Sequence, residues 1–512
     1  MRIHSRSHTR FDKTKRLFGA ALAASAISAS ALGGAGNLPH WVEEGAHYGE
    51  SYVTHVVDHA YHDLTDTSSS VIPGDKVSFS EEAKAQLITG EQAVQNPSAA
   101  AEKSWDALKP FSETSSGLFK NTLQPNSSTA GSIEQFLGFG SKFAGAWPQS
   151  QGTAGALDLS ALNGSCIDSK ALLDSLRFYQ ISGIQVKGPN GNEHTVSAYS
   201  PSGPTGLLGI PRQDEYFYYD DNSWIGLDLM QAYSQTHEQQ YLTQAEQLYQ
   251  FIRTGQAETG GMHWRELDGT KSQGINTIAT GASSEFAMEL YFAAGRQEYL
   301  QFAQKNMDYL NTHLRTPQGL YQDHQGSDQS AKAIYSYNQG VTLGANALLA
   351  KAYYQMYQEN PGENSGDLAL ANHYLALANQ TAIASMKELS QPAESHNSAG
   401  ETRLWKQPPA FNAIYFRNLL SLGDAASQGG GKVPAASPLV EQAQSNSMAG
   451  RVLLKSYLQS AWNNARDPKT GLLDQGGIGH YGGTVPDYLD QSAFVQMYSL
   501  LGISGENLYR SI

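Results

Sequence analysis

In residues 237–252, HEQQYLTQAEQLYQFI, apolar side chains recur at helical spacing and Gln, Glu and Thr fill the intervening positions. That period belongs to an amphipathic helix with one face packed on something else. GRQEYLQFAQKNMDYL (295–310) repeats it without gaps. Tyr241-Leu242 with Ala245 corresponds to Tyr299-Leu300 with Ala303, and HYLALAN adds Tyr374-Leu375 with Ala378. A second kind of segment precedes each copy. DNSWIGLDLMQAYSQ (221–235), TIATGASSEFAMELYFAAG (277–295) and NQGVTLGANALLAKAYYQMY (338–357) are apolar nearly all round and contain small residues. Such a helix is buried, and its small residues let neighbours approach closely. FNAIYFRNLLSL (411–422) and LDQSAFVQMYSLLG (489–502) are two more of this kind, with the long helical pattern of 440–464 between them. Buried helix, short turn, amphipathic helix, long loop: this order predicts an all-α chain, an (α/α)6 toroid of six helix hairpins. An open solenoid has the same period. In a toroid, the loops entering the inner helices gather at one end and form a cleft.

The periodicity begins near residue 168. Residues 36–165 are weakly patterned and read as an N-terminal extension of unknown role, with the helical catalytic domain at 166–512. Within the extension, His55, His59 and His62 fall on one helix face, a spacing that suits a metal. No carboxylate-rich motif accompanies them, so the reading is a polar helix face, and neither metal nor cofactor is expected. Residues 1–16 carry Arg2, Arg6, Arg10, Lys13, Lys15 and Arg16, followed by the apolar run LFGAALAASAISASALGGAG. With Ala29-Ser30-Ala31 as a small-residue cleavage site, 1–35 reads as a secretion signal cut after Ala31, and the protein as secreted. No later segment reaches the roughly 20 apolar residues of a membrane span.

The chain has 512 residues and a formal net charge of −14. Such a surface repels phosphate backbones and anionic lipid, so a neutral partner fits better than nucleic acid. A single cysteine, Cys166, excludes an intramolecular disulfide.

The candidate chemistry lies in EYFYYDDNSWIGLDL (215–229), where Asp220 and Asp221 open a buried-type helix. Asp is a favoured helix cap, but a cap needs only one acid. Here there are two, flanked by Tyr218, Tyr219, Asn222 and Trp224, and an aromatic wall can exclude water and raise a carboxyl pKa. Glycoside hydrolysis uses two carboxyl groups across one bond. The other helix entrances bring Trp264, Asn276, Tyr337, Asn338, Gln339, Phe411 and Arg417, and a later loop brings Asp474 and Gln475. Amides suit sugar hydroxyls and rings suit the apolar sugar face. Their recurrence at one structural position suggests a polyol cleft, although Asn and Gln also cap helices and Trp fills cores.

At YYDDNSWIGLDL, GGMHW, NTIATGASSEFAMEL, YSYNQGVTLGANALLAKAY, FNAIYFRNLL and SAWNNARDPKTGLL the sequence resembles glycoside hydrolase family 76, endo-α-1,6-mannanases with an (α/α)6 barrel. The resemblance covers about 168–505 and departs at His263, where a second aromatic is commoner. It implies Asp220 as nucleophile and Asp221 as acid/base, with retention through a covalent mannosyl intermediate. The substrate contacts expected from the helix entrances and the later loop are Tyr219, Asn222, Trp264, Asn276, Tyr337, Asn338, Gln339, Phe411, Arg417 and Asp474. The expected partner is a neutral mannose-containing polysaccharide or oligosaccharide, bound by a monomer. A cell-envelope mannan transglycosylase and a non-catalytic glycan-binding protein remain alternatives.

Overall fold

A computed structural model of the chain describes residues 89–113, 115–123, 143–164, 169–203, 216–267, 270–359, 365–392, 402–428, 438–473 and 486–503. The basic and apolar start, the His55/His59/His62 face, Cys166, Asp474 and Gln475 lie outside them. In chain order the elements are α1 (Gly90–Gln95), α2 (Pro97–Leu108), β1 (Ser112–Glu113), β2 (Leu118–Phe119), α3 (Ala146–Asn163), α4 (Ser169–Ser175), β3 (Gln180–Lys187), β4 (Glu193–Tyr199), β5 (Phe217–Tyr218), α5 (Tyr219–Thr236), α6 (Gln239–Ile252), β6 (Arg265–Leu267), β7 (Thr270–Lys271), α7 (Thr277–Ala294), α8 (Gln297–His313), α9 (Ser336–Glu359), α10 (Ser365–Leu389), α11 (Pro409–Gln428), α12 (Pro438–Asn464) and α13 (Tyr488–Gly502). The strands form three small antiparallel sheets, β1-β2, β3-β4 and β5-β6-β7.

The helices close a ring. α3, α5, α7, α9, α11 and α13 each pack on the next, and α13 packs back on α3. α6, α8, α10 and α12 lie outside, each against the inner helix that precedes it, and α2 covers α13. The reversal after α5 turns at His237 and that after α7 at Gly295, both in the left-handed region (φ 56° and 67°). The amphipathic repeat does what its period requires: Tyr241, Leu242, Ala245, Tyr299, Leu300, Ala303, Tyr374, Leu375 and Ala378 are all buried. Small residues on the inner helices set the ring's tightness. A Cβ on Gly340 would lie 2.7 Å from the Cα of Tyr415, and one on Gly226 would lie 2.6 Å from the Phe286 ring.

The boundary drawn at 165/166 does not divide this architecture. α3 lies before it, yet it is an inner helix between α13 and α5, and α2 is the outer cover of the last inner helix. The N-terminal and C-terminal parts of the chain meet there to complete the toroid. The segment was hard to read because α3, AWPQSQGTAGALDLSALN, carries small and polar residues in place of the bulky apolar ones of α5 or α9.

A six-fold device pins the entrances. The fourth residue of every inner helix turns a polar side chain onto the backbone of the incoming loop. Gln149 holds Gly117 and Phe119, Asn222 holds Tyr199, Thr280 holds Met262, Gln339 holds Tyr321, Asn412 holds Leu404 and Gln491 holds Leu473. Loop backbone is otherwise expensive to bury, because each unpaired N–H or C=O loses its water.

Candidate active site

The two residues before a clamp are the second and third of its inner helix. On α5 these are Asp220 and Asp221. The N-cap of α5 is Tyr218, which makes no side-chain cap bond, so neither acid serves as the cap. Asp220 is 9% exposed. Its Oδ2 accepts 3.1 Å from the indole Nε1 of Trp264, and its Oδ1 is buried without a hydrogen-bond partner. Burial pushes its pKa up to about 6, against the pull of Trp264 and of the amides at the helix start. The nearby charge of Asp323 pushes in the same direction as burial. Asp221 keeps part of its surface open at the mouth. Its carboxyl is raised well above the usual range, first by desolvation and then by the charge of Asp220.

Around the pair stands an aromatic wall drawn from several entrances. Tyr337 stacks on Phe411 (centroids 3.7 Å apart, planes at 10°), and Tyr335 and Trp147 meet the same Phe411 ring at 5.6 and 6.2 Å. On the other side Tyr218 meets Trp264 edge-on at 5.0 Å. The Tyr337 hydroxyl is pushed upward by burial and by the nearby charges of Asp323 and Asp220. Asp323 accepts from Asn338 Nδ2 at 2.8 Å and lies 3.0 Å from His324 Nδ1, while its carbonyl receives the first amide of α7.

The family model of glycosyl hydrolase family 76 matches residues 199–420, from the end of β4 through most of α11. The chain is a glycoside hydrolase that resembles family 76 over that span. Solved structures share the fold. A family 76 glycoside hydrolase (mannosidase) of Bacteroides thetaiotaomicron VPI-5482 is 22% identical with a TM-score of 0.56, over 80% of this chain and 98% of that one. The α-1,6-mannanase of Salegentibacter sp. HEL1_6 is 17% identical with a TM-score of 0.53, over 79% and 98%. An inactive variant of the latter, with two successive aspartates replaced by alanine, was solved with α-1,6-mannotetrose; it is 18% identical with a TM-score of 0.53, over 79% and 98%. No curated protein sequence matches the chain.

The matched region brings together Asp220, Asp221, Trp264, Tyr337 and Phe411, while Asn338 faces Asp323 and is fully buried. The other predicted contacts have different work. Tyr219 turns outward, stacks on Phe251 at 4.8 Å and donates to Glu266. Asn222 and Gln339 are clamps, with amide N–H and C=O both engaged by backbone. Asn276 caps α7 through Ala279 N at 3.1 Å. Arg417 sits well inside α11, where it pairs with Asp158 of α3 and reaches Gln496 of α13. The sequence reading missed Asp323, Tyr335 and Trp147. Asp323 lies in QDHQGSDQ, a polar loop with no helical register to mark which acid faces the mouth. No helix among the described residues is long and apolar enough to cross a membrane. Nor does any group of three or more His, Cys, Asp or Glu among them form a potential metal site.

Proposed function

We propose that this glycoside hydrolase cleaves α-1,6-mannosidic bonds of mannan with retention of configuration. The observation that carries the reading is the pair itself: adjacent carboxyls at the second and third positions of α5, both raised by burial, one held by an indole, neither spent on a cap. The two environments suit two roles. Asp220, ionised above about pH 6, attacks the anomeric carbon. Asp221, whose raised pKa keeps its proton, gives that proton to the leaving glycosidic oxygen. A covalent mannosyl ester on Asp220 results. Asp221, now a carboxylate, takes a proton from water; the resulting hydroxide attacks the same carbon, and Asp220 departs as carboxylate. Trp264 fixes one Asp220 oxygen, while the other is buried without a hydrogen bond. The solved mannanase variant lends support: replacing two successive aspartates inactivates that enzyme, and the variant was solved with an α-1,6-mannan fragment. Export is part of the proposal and rests on the basic and apolar residues of 1–35. It fits a polysaccharide substrate.

Linear α-1,6-mannan digested by the full chain and followed by proton NMR tests the reading. Manno-oligosaccharides with the α anomer appearing first are expected. The β anomer first would contradict retention, and no release by folded protein would contradict the mannanase reading.

A further inference from the structure

Only three large hydrophobic side chains among the described residues are exposed, and two of them, Tyr216 (40%) and Trp264 (39%), stand together at the entrance to α5. Arg265 lies between them. Its guanidinium carbon is 4.1 Å from the centroid of Tyr216, 5.3 Å from Trp264 and 6.0 Å from Tyr218, and Nη1 donates to the Tyr218 hydroxyl at 3.3 Å. The stack is held from behind. β5 pairs with β6 so that Tyr218 faces Arg265, Tyr219 N donates to the carbonyl of Trp264 at 3.0 Å, and Ser272 Oγ accepts from the amides of Trp264 and Arg265 at 2.9 and 3.3 Å. Because the same Trp264 donates to Asp220, the platform begins at the reacting carboxyl and runs outward from it.

Exposed rings fixed in a wall cannot be explained by core packing. They present flat apolar area beside hydrogen-bond donors, which is the chemistry of sugar recognition: the C–H face of a pyranose covers a ring while its hydroxyls meet planar donors. A guanidinium stacked on Tyr216 keeps its fork rigid and has N–H groups beyond the one given to Tyr218. We infer that Tyr216, Arg265 and Trp264 form a subsite that seats the mannosyl residue next to the one being cleaved, so that chain length is read by this platform. The inference rests on the mannanase reading and adds to it the residues that grip the neighbouring sugar.

The test uses the full chain with Tyr216→Ala, Arg265→Ala and Arg265→Lys. Kinetics on α-1,6-mannotetrose are paired with tryptophan-fluorescence titration by the same oligosaccharide, which needs no turnover. Loss of stacking in either alanine variant should raise KM and the binding constant about tenfold, with kcat within about twofold. Arg265→Lys should behave like Arg265→Ala, because an ammonium keeps the charge without the planar fork. The acidic limb of the pH profile and the unfolding midpoint should stay where they are in the parent. Unchanged KM and binding in both alanine variants would overturn the subsite. So would an equal fall in kcat with a shifted acidic limb, since that would make Arg265 a positioning residue for Asp220. If the parent chain neither cleaves nor binds the tetrasaccharide, the mannanase reading fails instead.

Discussion

α5 and α13 both have acids in or beside their first turn, and the two helices use them differently. At α13, Asp487 is the N-cap and accepts from Asp490 N at 2.9 Å, satisfying one of the orphan amides of the first turn. At α5 the cap position holds Tyr218, which offers nothing, and the acids have slid two and three places into the helix. There desolvation raises both carboxyls, so that they hold their protons to unusually high pH. The residue type is the same, but at α13 Asp487 is spent on the cap and Asp490, at the third position, accepts from Ala410 N, whereas neither α5 acid is spent on a cap. The fourth position makes the converse point, since six different loops are held by a polar side chain there whatever the mouth above is doing.

The largest expected effect comes from breaking a clamp. Gln339→Ala orphans both the N–H and the C=O of Tyr321 and removes about 2–5 kcal/mol of stability, read by chemical denaturation. Asp220→Asn should do the reverse. Because the folded pKa of Asp220 is raised, this group stabilises the fold fully below its unfolded value of 3.8 and loses that contribution as pH rises through about 6. The Asn variant should therefore gain up to about 3 kcal/mol at pH 8 and almost nothing at pH 4, measured by unfolding at both. Asp487→Ala removes an ordinary cap and costs about 1 kcal/mol, with activity per folded molecule unchanged. The smallest effect is also the most specific. Trp264→Phe deletes a bond that lowers the Asp220 pKa and should move the acidic limb of kcat/KM above about 6, whereas Asp323→Asn removes a charge that raises it and should move the limb down.

These contrasts explain how far the sequence could be read. Five inner helices were legible because α5, α7, α9, α11 and α13 are apolar nearly all round, and the outer layer because Tyr-Leu with Ala three residues later recurs on one face. α3 was not legible, since Gln149, Ser150, Gln151 and Thr153 are buried polar residues whose partners, Gly117, Asp228, Gln496 and the helix's own carbonyls, lie far off in the chain or within the turn. In the site, the acid pair and the rings Trp264, Tyr337 and Phe411 could be found by type. Asn222 and Gln339 could not be told from sugar ligands, because an amide that grips a backbone and one that grips a hydroxyl are the same residue. Their recurrence at every entrance came from the ring's own repeat, which needs one clamp per loop. Arg417 was assigned to the mouth because FNAIYFRNL opens α11, but two turns along the helix it faces Asp158 instead.

The central claim, that the two displaced acids are the reacting pair, is tested most directly by turnover of α-1,6-mannotetrose by the parent chain, Asp220→Asn and Asp221→Asn, with unfolding recorded on the same samples. Each variant should lose on the order of 10³-fold or more in kcat/KM while unfolding no more readily than the parent. Near-parental turnover by either folded variant would contradict the account.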